Sequence, residues 1–427
     1  MEAQFEMLSE MAKNGDMVNG TVNGVGDSDK GTLTEAAFLA KTTADATSVI
    51  AAVPSDGLVM VSRSPNSNNS NTLPYIAQEI TKDPEQTIAA TVERVMGKIT
   101  VTAGGTSVSS AATANKYTSF STTVAQINNI KDITLKNYYV VNARKEGYYF
   151  RHVDKESSAT NPLTEANYGN SSATLPYVTD PKTYNKTYTS TPALVNSYGD
   201  WYLQGSSAFG LSSFGTFSGT YMDMPGYSSG AVETKVAAYC YENTMLKDKQ
   251  KNGYTTGIVF KAEIAPSKMM QKSSGDGVEE TTTIGSIGEI FYHSGIFYKD
   301  IEALKAAGVL LADGTTSSSA SGALTDLKKN DVQCFLKGNT DGKFICYYPY
   351  WIKHLPSDTA EDVMEFGIVR NNVYQVTVTG IQGVGKDGVT ENIITDTETD
   401  DPTTVLLNVK LSIKPWVVRT NSAVLGR

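Results

Sequence analysis

A strict alternation of apolar and mainly polar side chains near the C-terminus most constrains how this 427-residue chain can fold. Successive side chains of a strand point to opposite faces, so a period of two predicts a β-strand with one buried face. Pro415 and Trp416 follow the pattern and are expected to end the strand. The apolar positions are Val405, Leu407, Val409, Leu411 and Ile413.

Comparable patterns occur through much of the chain after residue 91. One strand is expected at 95–101, another at 133–142, and a third at 373–381 with Tyr374, Val376 and Val378 on one face. A short helix is expected at 301–307, where Asp300 provides the N-terminal cap and Gly308 the end. Many strands, turn-rich loops and few helices predict a mostly β architecture built from sandwiches.

The composition excludes several classes of function. Acidic residues outnumber basic ones by 45 to 36, and the net charge of −9 argues against a nucleic-acid-binding surface, which requires a basic footprint. No apolar run approaches the roughly 18 residues of a membrane span. The N-terminus has neither the basic start nor the apolar core of a signal peptide.

Two short motifs resemble catalytic signatures without the flanking pattern that the chemistry requires. Residues 383–388 match G-x-G-x-x-G, but no helical pattern follows to direct backbone amides at a pyrophosphate. Residues 226–230 match G-x-S-x-G around Ser228, but a strand-like run follows where a nucleophile elbow needs a helix. We therefore predict that the chain is not an enzyme and uses no dinucleotide.

Metal-binding patterns are equally weak. The histidines, His152, His293 and His354, are far apart in sequence and lack partners at ligand spacing. Acidic residues between 396 and 401 lack the glycine and final glutamate of a helix-loop-helix calcium site, which favours a solvated loop. We predict no metal site and no cofactor.

Two of the three cysteines allow a structural hypothesis. Residues 338–342 are typical of a hairpin turn, and Cys334 and Cys346 each lie six residues from Thr340. If the hairpin is centred on Thr340, the two cysteines face each other across its strands, and a disulfide can form in an oxidising compartment. The alternative is a pair of buried free thiols.

Six segments in the second half of the chain resemble the fimbrillins of Bacteroidales, in particular the major subunits of the short (minor) fimbriae, which are type V pili. The most specific runs are YENT at 241–244, YYPYWI at 347–352 and VRNNVY at 369–374. Residues 85–145 resemble the family's N-terminal domain more loosely. The six segments are 239–244, 255–262, 297–298, 346–352, 364–374 and 411–416.

This resemblance implies two transthyretin-like β-sandwich domains with short helices in loops. We place the N-terminal domain at 1–232, with long insertions rich in Tyr, Ser, Thr and Gly, and the C-terminal fimbrillin domain at 233–427. The resemblance also implies export as a lipoprotein precursor, trimming by an arginine-specific protease and head-to-tail polymerisation. In that family, trimming removes an N-terminal strand, and a C-terminal segment of the neighbouring subunit fills the apolar groove.

The residues permit strand donation, because an added strand repairs the unpaired backbone and apolar core of an incomplete sandwich. Burial of five large aliphatic side chains would contribute on the order of 10 kcal/mol before ordering and association costs. We expect the donor within 403–427. The stripe at 405–413 is either the donor or the last strand of its own domain. The other donor candidates are Val417, Val418, Val424 and Leu425.

We predict a structural pilin subunit that polymerises into cell-surface fimbriae for adhesion and biofilm formation. The implied partners are further copies of the chain, accessory anchor and tip subunits, and host or bacterial surface receptors. The implied location is extracellular, with the lipoprotein precursor associated with the outer membrane. The alternative is a surface glycan-binding adhesin or pilus tip protein, because aromatic side chains in the stretch 195–230 can stack on sugar rings. The candidate glycan contacts are Trp201, Tyr202 and Tyr221.

Overall fold

The computed structural model shows a protein dominated by β-strands, which confirms the predicted mostly β class. No helix in the described part of the chain is long and apolar enough to span a membrane. The residues described are 60–63, 86–120, 129–144, 147–149, 151–154, 177–180, 201–202, 222–244, 250, 255–310, 327–354, 365–388, 406–415 and 419–425.

The strands range in length from two residues to the twelve of Ile130–Val141. A short helix, α1, spans Ile301–Ala306. The strands are β1 (Met60–Arg63), β2 (Gln86–Arg94), β3 (Gly97–Thr102), β4 (Lys116–Tyr117), β5 (Ile130–Val141), β6 (Ala143–Arg144), β7 (His152–Asp154), β8 (Tyr177–Thr179), β9 (Trp201–Tyr202), β10 (Met222–Asp223), β11 (Tyr227–Ser228), β12 (Ala231–Val232), β13 (Thr234–Cys240), β14 (Gly257–Pro266), β15 (Met269–Lys272), β16 (Val278–Thr281), β17 (Glu289–His293), β18 (Ile296–Tyr298), β19 (Gln333–Leu336), β20 (Phe344–Trp351), β21 (Asn372–Ile381), β22 (Leu407–Pro415) and β23 (Arg419–Leu425).

Two sheets form the centre of the molecule. Sheet I has the strand order β13-β3-β21-β22, in which β3 and β21 run parallel and the other neighbours antiparallel. Sheet II has the order β10-β5-β14-β20, with β4 also paired to β5, and is antiparallel throughout. One hydrophobic cluster contains inward-facing side chains of both sheets, so the sheets pack face to face as a sandwich.

The alternation predicted at 373–381 is confirmed in β21. Tyr374, Val376 and Val378 are buried in the common core, while Gln375 and Thr377 between them are more exposed. The strand predicted at 95–101 is shorter than expected, because residues 95–96 form a bend and β3 begins at Gly97.

A third sheet, sheet III, carries the predicted helix. Its strand order is β16-β15-β18-β17-β19, and a separate hydrophobic cluster joins it to α1. The N–H of Ala303 donates to Asp300 Oδ1 at 2.8 Å, and Gly308 follows the helix with φ of +72°. The predicted cap and end of this helix are both confirmed, because Asp300 satisfies an N-terminal amide and only glycine adopts this φ readily.

The boundary predicted between residues 232 and 233 separates strands that pair with each other. In sheet I, β3 lies between β13 and β21, and in sheet II, β5 lies beside β14. Both β3 and β5 precede the boundary, whereas their neighbours follow it. The division at residue 232 and the transthyretin-like topology of two domains stay predictions.

Candidate functional site

Strand β22 lies at the edge of sheet I, where it contains most of the apolar stripe noted in the sequence. It pairs antiparallel with β21, with Val378 opposite Val409, Val376 opposite Leu411, and Tyr374 opposite Ile413. Among the described residues, no strand pairs with the opposite edge of β22. One side of its backbone therefore adds to the sheet, while the other side marks where the sheet ends.

The apolar face of β22 is less buried than that of the strand beside it. Leu407 is 7% exposed, while Val409, Leu411 and Ile413 pack against the core but are only partly buried. The corresponding side chains of β21 are almost completely buried. An edge strand of this kind covers the core on one face, and its opposite face presents Asn408 and Lys410 to solvent.

The chain pairs a second time after β22. Strand β23 runs antiparallel to β2, with Val92 opposite Arg419, Thr87 opposite Val424 and Gln86 opposite Leu425. Strand β2 is the middle strand of a three-stranded sheet, sheet IV, with the order β1-β2-β23. We call residues 406–425, which contain β22 and β23, the C-terminal arm. Of the remaining donor candidates, Val405, Val417 and Val418 lie outside the described residues.

Strands β21 and β2, which pair with β22 and β23 of the arm, are called the receiving strands below. A buried group of charged side chains lies where these two strands meet. Arg370 donates through Nε and Nη2 to the two carboxylate oxygens of Glu242, at 2.7 and 2.8 Å. It also donates to the carbonyl oxygens of Tyr148 and Tyr149, at 2.7 and 2.8 Å. Arg370 and Glu242 are both completely buried, so the ion pair depends on these contacts to offset the loss of hydration.

A second ion pair extends this group. Arg151 Nη2 donates to Glu93 Oε2 at 2.5 Å, and Glu93 Oε1 lies 4.0 Å from Arg370 Nη1. Burial raises the pKa of the Glu242 carboxyl, and the positive charge of Arg370 opposes that rise. We call Glu93, Arg151, Glu242 and Arg370 the arginine cluster. Its two carboxylates and two guanidinium groups balance in charge, so burial leaves no isolated ion.

The resemblance motifs place their polar residues at this junction. Glu242 belongs to the YENT run, and Arg370 and Asn371 belong to the VRNNVY run. Asn371 donates its N–H to the Met96 carbonyl at 2.8 Å, and its Oδ1 accepts the N–H of Arg94 at 3.4 Å. The sequence patterns identified both runs but assigned these residues no role. Each run contains one charged residue among uncharged ones, and that is the sequence feature that could have identified them.

The rest of the YENT run is tied to another buried ion pair. Arg144 Nη2 lies 3.4 Å from Asp180 Oδ1, and both side chains are completely buried. Asp180 Oδ2 also accepts the N–H of Thr244 at 2.9 Å. This contact fixes the segment 177–180 to the chain just after β13.

His354 occupies a position next to the arginine cluster. Its Nδ1 lies 2.7 Å from the hydroxyl of Tyr374, which also accepts the N–H of Val369 at 2.8 Å. Burial, together with the positive charge of Arg151, lowers the pKa of His354 to about 4. The imidazole is therefore neutral at physiological pH and serves a structural role.

The structure does not form the expected hairpin across Cys334 and Cys346. Cys334 lies in β19 of sheet III opposite Phe291, and Cys346 lies in β20 of sheet II opposite Ala262. Strands β19 and β20 share only the bridge between Lys337 and Phe344, because each strand continues into a different sheet. The facing arrangement is therefore wrong. Both cysteines are free and buried in different hydrophobic clusters, and burial raises the pKa of the Cys346 thiol to about 12.

The candidate glycan contacts are only partly within the described residues. The backbones of Trp201 and Tyr202 form β9, which pairs with β6, and Tyr221 lies outside the described residues. Glycan binding stays a prediction for these three residues.

Neither catalytic-like motif has the local structure that its chemistry requires. Ser228 lies at the tip of the hairpin formed by β11 and β12, where Ser229 and Gly230 have φ of 52° and 81°. In the 383–388 run, Lys386 forms a backbone bridge with Tyr347 at the edge of sheet II. The loop thus pairs with a strand and opens no helix among residues 383–388.

These features define a β-rich protein in which β22 lies at the edge of sheet I and the buried arginine cluster lies where β2 and β21 meet. Residues 341–422 match the family model described as major fimbrial subunit protein type IV, fimbrillin, C-terminal. The match contains β20, β21 and β22 and ends within β23, so the resemblance to fimbrillins is confirmed for this part of the chain. The matched family is one of structural fimbrial subunits, not of enzymes.

No curated protein matches the chain. Similar solved structures include a fimbrilin (fimA) from Porphyromonas gingivalis W83, at 15% identity and a TM-score of 0.27, covering 76% of this chain and 59% of that one. Another is a protein assigned to cell adhesion from Parabacteroides distasonis, at 12% identity and a TM-score of 0.26, covering 77% of this chain and 60% of that one. The chain therefore spans at most 60% of the length of these structures.

Proposed function

We propose that the chain is a structural subunit of cell-surface fimbriae, in which the C-terminal arm of one copy pairs with the receiving strands of the next. The observation that carries this proposal is the position of β22. It lies at the edge of sheet I, pairs with β21, and covers the shared core with partly buried aliphatic side chains. This region also lies within the match to the fimbrillin model.

The pairing of β22 within one chain supports an exchange between copies. A strand of the same sequence from a second copy can form the same backbone hydrogen bonds with β21 and place the same side chains over the core. The free energy of pairing is then similar inside and between chains, and local concentration decides which arrangement dominates. In the proposed arrangement each copy donates its arm to one neighbour and accepts the arm of a different neighbour, and this head-to-tail contact generates an open filament when its rotation does not close.

The wider role follows from the family resemblance. We infer that the filament is displayed outside the cell, where it serves adhesion and biofilm formation and joins accessory anchor and tip subunits. Surface receptors are the expected external partners. Export as a lipoprotein precursor that associates with the outer membrane belongs to the same proposal.

Two substitutions on opposite faces of β22 test the role of its apolar face. Leu411→Asp places a charge against the core, whereas Lys410→Asp places the same side chain on the exposed face of the adjacent position. We expect electron microscopy to show filaments for wild type and Lys410→Asp, and few or none for Leu411→Asp. Circular dichroism of each variant identifies a loss of filaments that results from unfolding. Folded Leu411→Asp protein that assembles like wild type would contradict the proposal.

A further inference from the structure

The two receiving strands of the C-terminal arm, β21 and β2, are connected to each other by contacts that do not involve the arm itself. Strand β22 pairs with β21, which begins at Asn372, and β23 pairs with β2, which ends at Arg94. Arg370 lies two residues before β21, and Glu93 is the second-to-last residue of β2. The arginine cluster therefore occupies the position where the two receiving strands come together.

Three contacts connect the end of β2 with the start of β21. Glu93 lies 4.0 Å from Arg370, the N–H of Arg94 donates to Asn371 Oδ1, and the N–H of Asn371 donates to the carbonyl of Met96. The outer members of the cluster hold this connection in place, because Glu242 fixes the Arg370 guanidinium and Arg151 fixes the Glu93 carboxylate. Glu93 is only 2% exposed, so solvent screens these charges weakly.

The arm contacts this pair of strands at two places. Only residues 416–418 separate β22 from β23 in the sequence, so the two strands of the arm form a short bivalent ligand. Once one strand is paired, the second is held near its own receiving strand at a high effective concentration. That advantage requires a fixed geometry between β21 and β2, and it is lost if the two receiving strands move independently.

We propose that the arginine cluster couples the two strands of the arm by fixing β2 against β21, so that β22 and β23 pair and separate together. Glu93 and Arg151 are positioning residues in this scheme, since neither forms the backbone pairs of the arm. The coupling acts in the single chain. It rests on the proposed function only where the arm comes from another copy, and it then makes assembly and disassembly of each contact a single concerted step.

Hydrogen exchange of the full chain tests the coupling without any need for filaments. Leu411→Ala removes a partly buried contact of β22, and we expect it to raise amide exchange in β22 on the order of fivefold. In an otherwise wild-type chain, exchange in β23 should rise by a similar factor although no β23 residue has changed. In a Glu93→Gln background, Leu411→Ala should accelerate exchange in β22 while leaving β23 unchanged relative to Glu93→Gln alone.

Glu93→Gln is suited to this test because it leaves the Arg370–Glu242 ion pair intact. It also leaves Arg151, whose side chain is 28% exposed, with access to solvent. Glu280→Gln is the matched control, because Glu280 pairs with Lys268 on the surface hairpin of β15 and β16. This control should preserve the transfer of the Leu411→Ala effect from β22 to β23.

A second variant guards against poor folding of Glu93→Gln. Arg151→Gln weakens the same connection from its solvent-accessible side, and it should uncouple β23 from β22 in the same way. The proposal is overturned if Leu411→Ala never affects β23 in the wild-type background, or if the transfer persists in both cluster variants. Measurement on dilute monomer separates this result from the fate of the polymerisation proposal, because coupling can hold in a chain that never forms filaments.

Discussion

Arg370 donates hydrogen bonds to both carboxylate oxygens of Glu242, at 2.7 and 2.8 Å, in a site where neither side chain contacts solvent. The two residues are separated by 128 positions in sequence, so their contact ties distant segments together. Bidentate geometry of this kind adds directional specificity to the charge interaction. The additional bonds from Arg370 to two backbone carbonyls leave most of its donors satisfied.

Removing one member of this pair should destabilise the protein strongly. Arg370→Met leaves the Glu242 carboxylate buried without its partner, and we expect a loss of about 3–5 kcal/mol in the free energy of unfolding. Lys268→Met is the comparison, because Lys268 and Glu280 form an exposed pair that should contribute no more than about 1 kcal/mol. Urea unfolding followed by circular dichroism measures both. Equal effects of the two substitutions would contradict the assigned importance of the buried pair.

Acid should destabilise the fold through His354. The folded-state pKa of about 4 lies below the value near 6.5 that is expected in the unfolded chain. The unfolded state therefore binds more protons between these values, and the free energy of unfolding falls by up to about 3 kcal/mol as pH decreases from 6.5 to 4. Urea unfolding across this range should show a shallower pH dependence for His354→Gln than for wild type. An unchanged slope in the variant would exclude His354 as the source.

The close approach of β21 to the segment that follows β3 should make Gly104 intolerant of a side chain. A Cβ at this position would overlap the carbonyl oxygen of Val378 and lie 2.9 Å from the hydroxyl of Tyr117. We expect Gly104→Ala to reduce the free energy of unfolding by about 1–3 kcal/mol, because backbone must move to make room. Gly275→Ala is the control, since nothing lies within 4 Å of its Cβ, and its effect should stay within about 0.5 kcal/mol. A similar free energy of unfolding for both variants would contradict the close contact between residue 104 and the Val378 carbonyl.

Local patterns in the sequence predicted the elements better than their assembly. The alternation around Val376 and the cap at Asp300 identified β21 and α1, because burial of one face and satisfaction of a helix amide depend on neighbouring residues. The parallel pairing of β3 with β21 joins residues more than 270 positions apart, and no local pattern encodes such a partner. The prediction that Cys334 and Cys346 face each other across a hairpin at Thr340 was wrong for the same reason. The turn residues are a local pattern and do not indicate that β19 and β20 enter different sheets.

The candidate site was likewise only partly predictable. The aliphatic stripe identified β22 through its period of two, but the sequence left open whether that strand completes its own sheet. The structure pairs it with β21 of the same chain. The arginine cluster gave no recognisable spacing, because Glu93, Arg151, Glu242 and Arg370 meet only after four separate segments have folded together.

Cross-linking between two differently substituted copies tests strand exchange most directly. Gln375 in β21 and Ser412 in β22 are register partners, and the three native cysteines are buried. We expect a mixture of Gln375→Cys and Ser412→Cys chains, assembled and then oxidised, to form a covalent dimer that reductant cleaves. Replacing the second chain by Glu279→Cys, whose position lies on the exposed hairpin of β15 and β16, should abolish that dimer.

The double variant Gln375→Cys/Ser412→Cys completes the measurement. In filaments, strand exchange predicts disulfide-linked multimers of this variant on non-reducing gels, because β21 of each copy holds β22 of another. Filaments in which the double variant closes only within single chains, while the mixed single variants give no dimer, would contradict the exchange of β22 between copies.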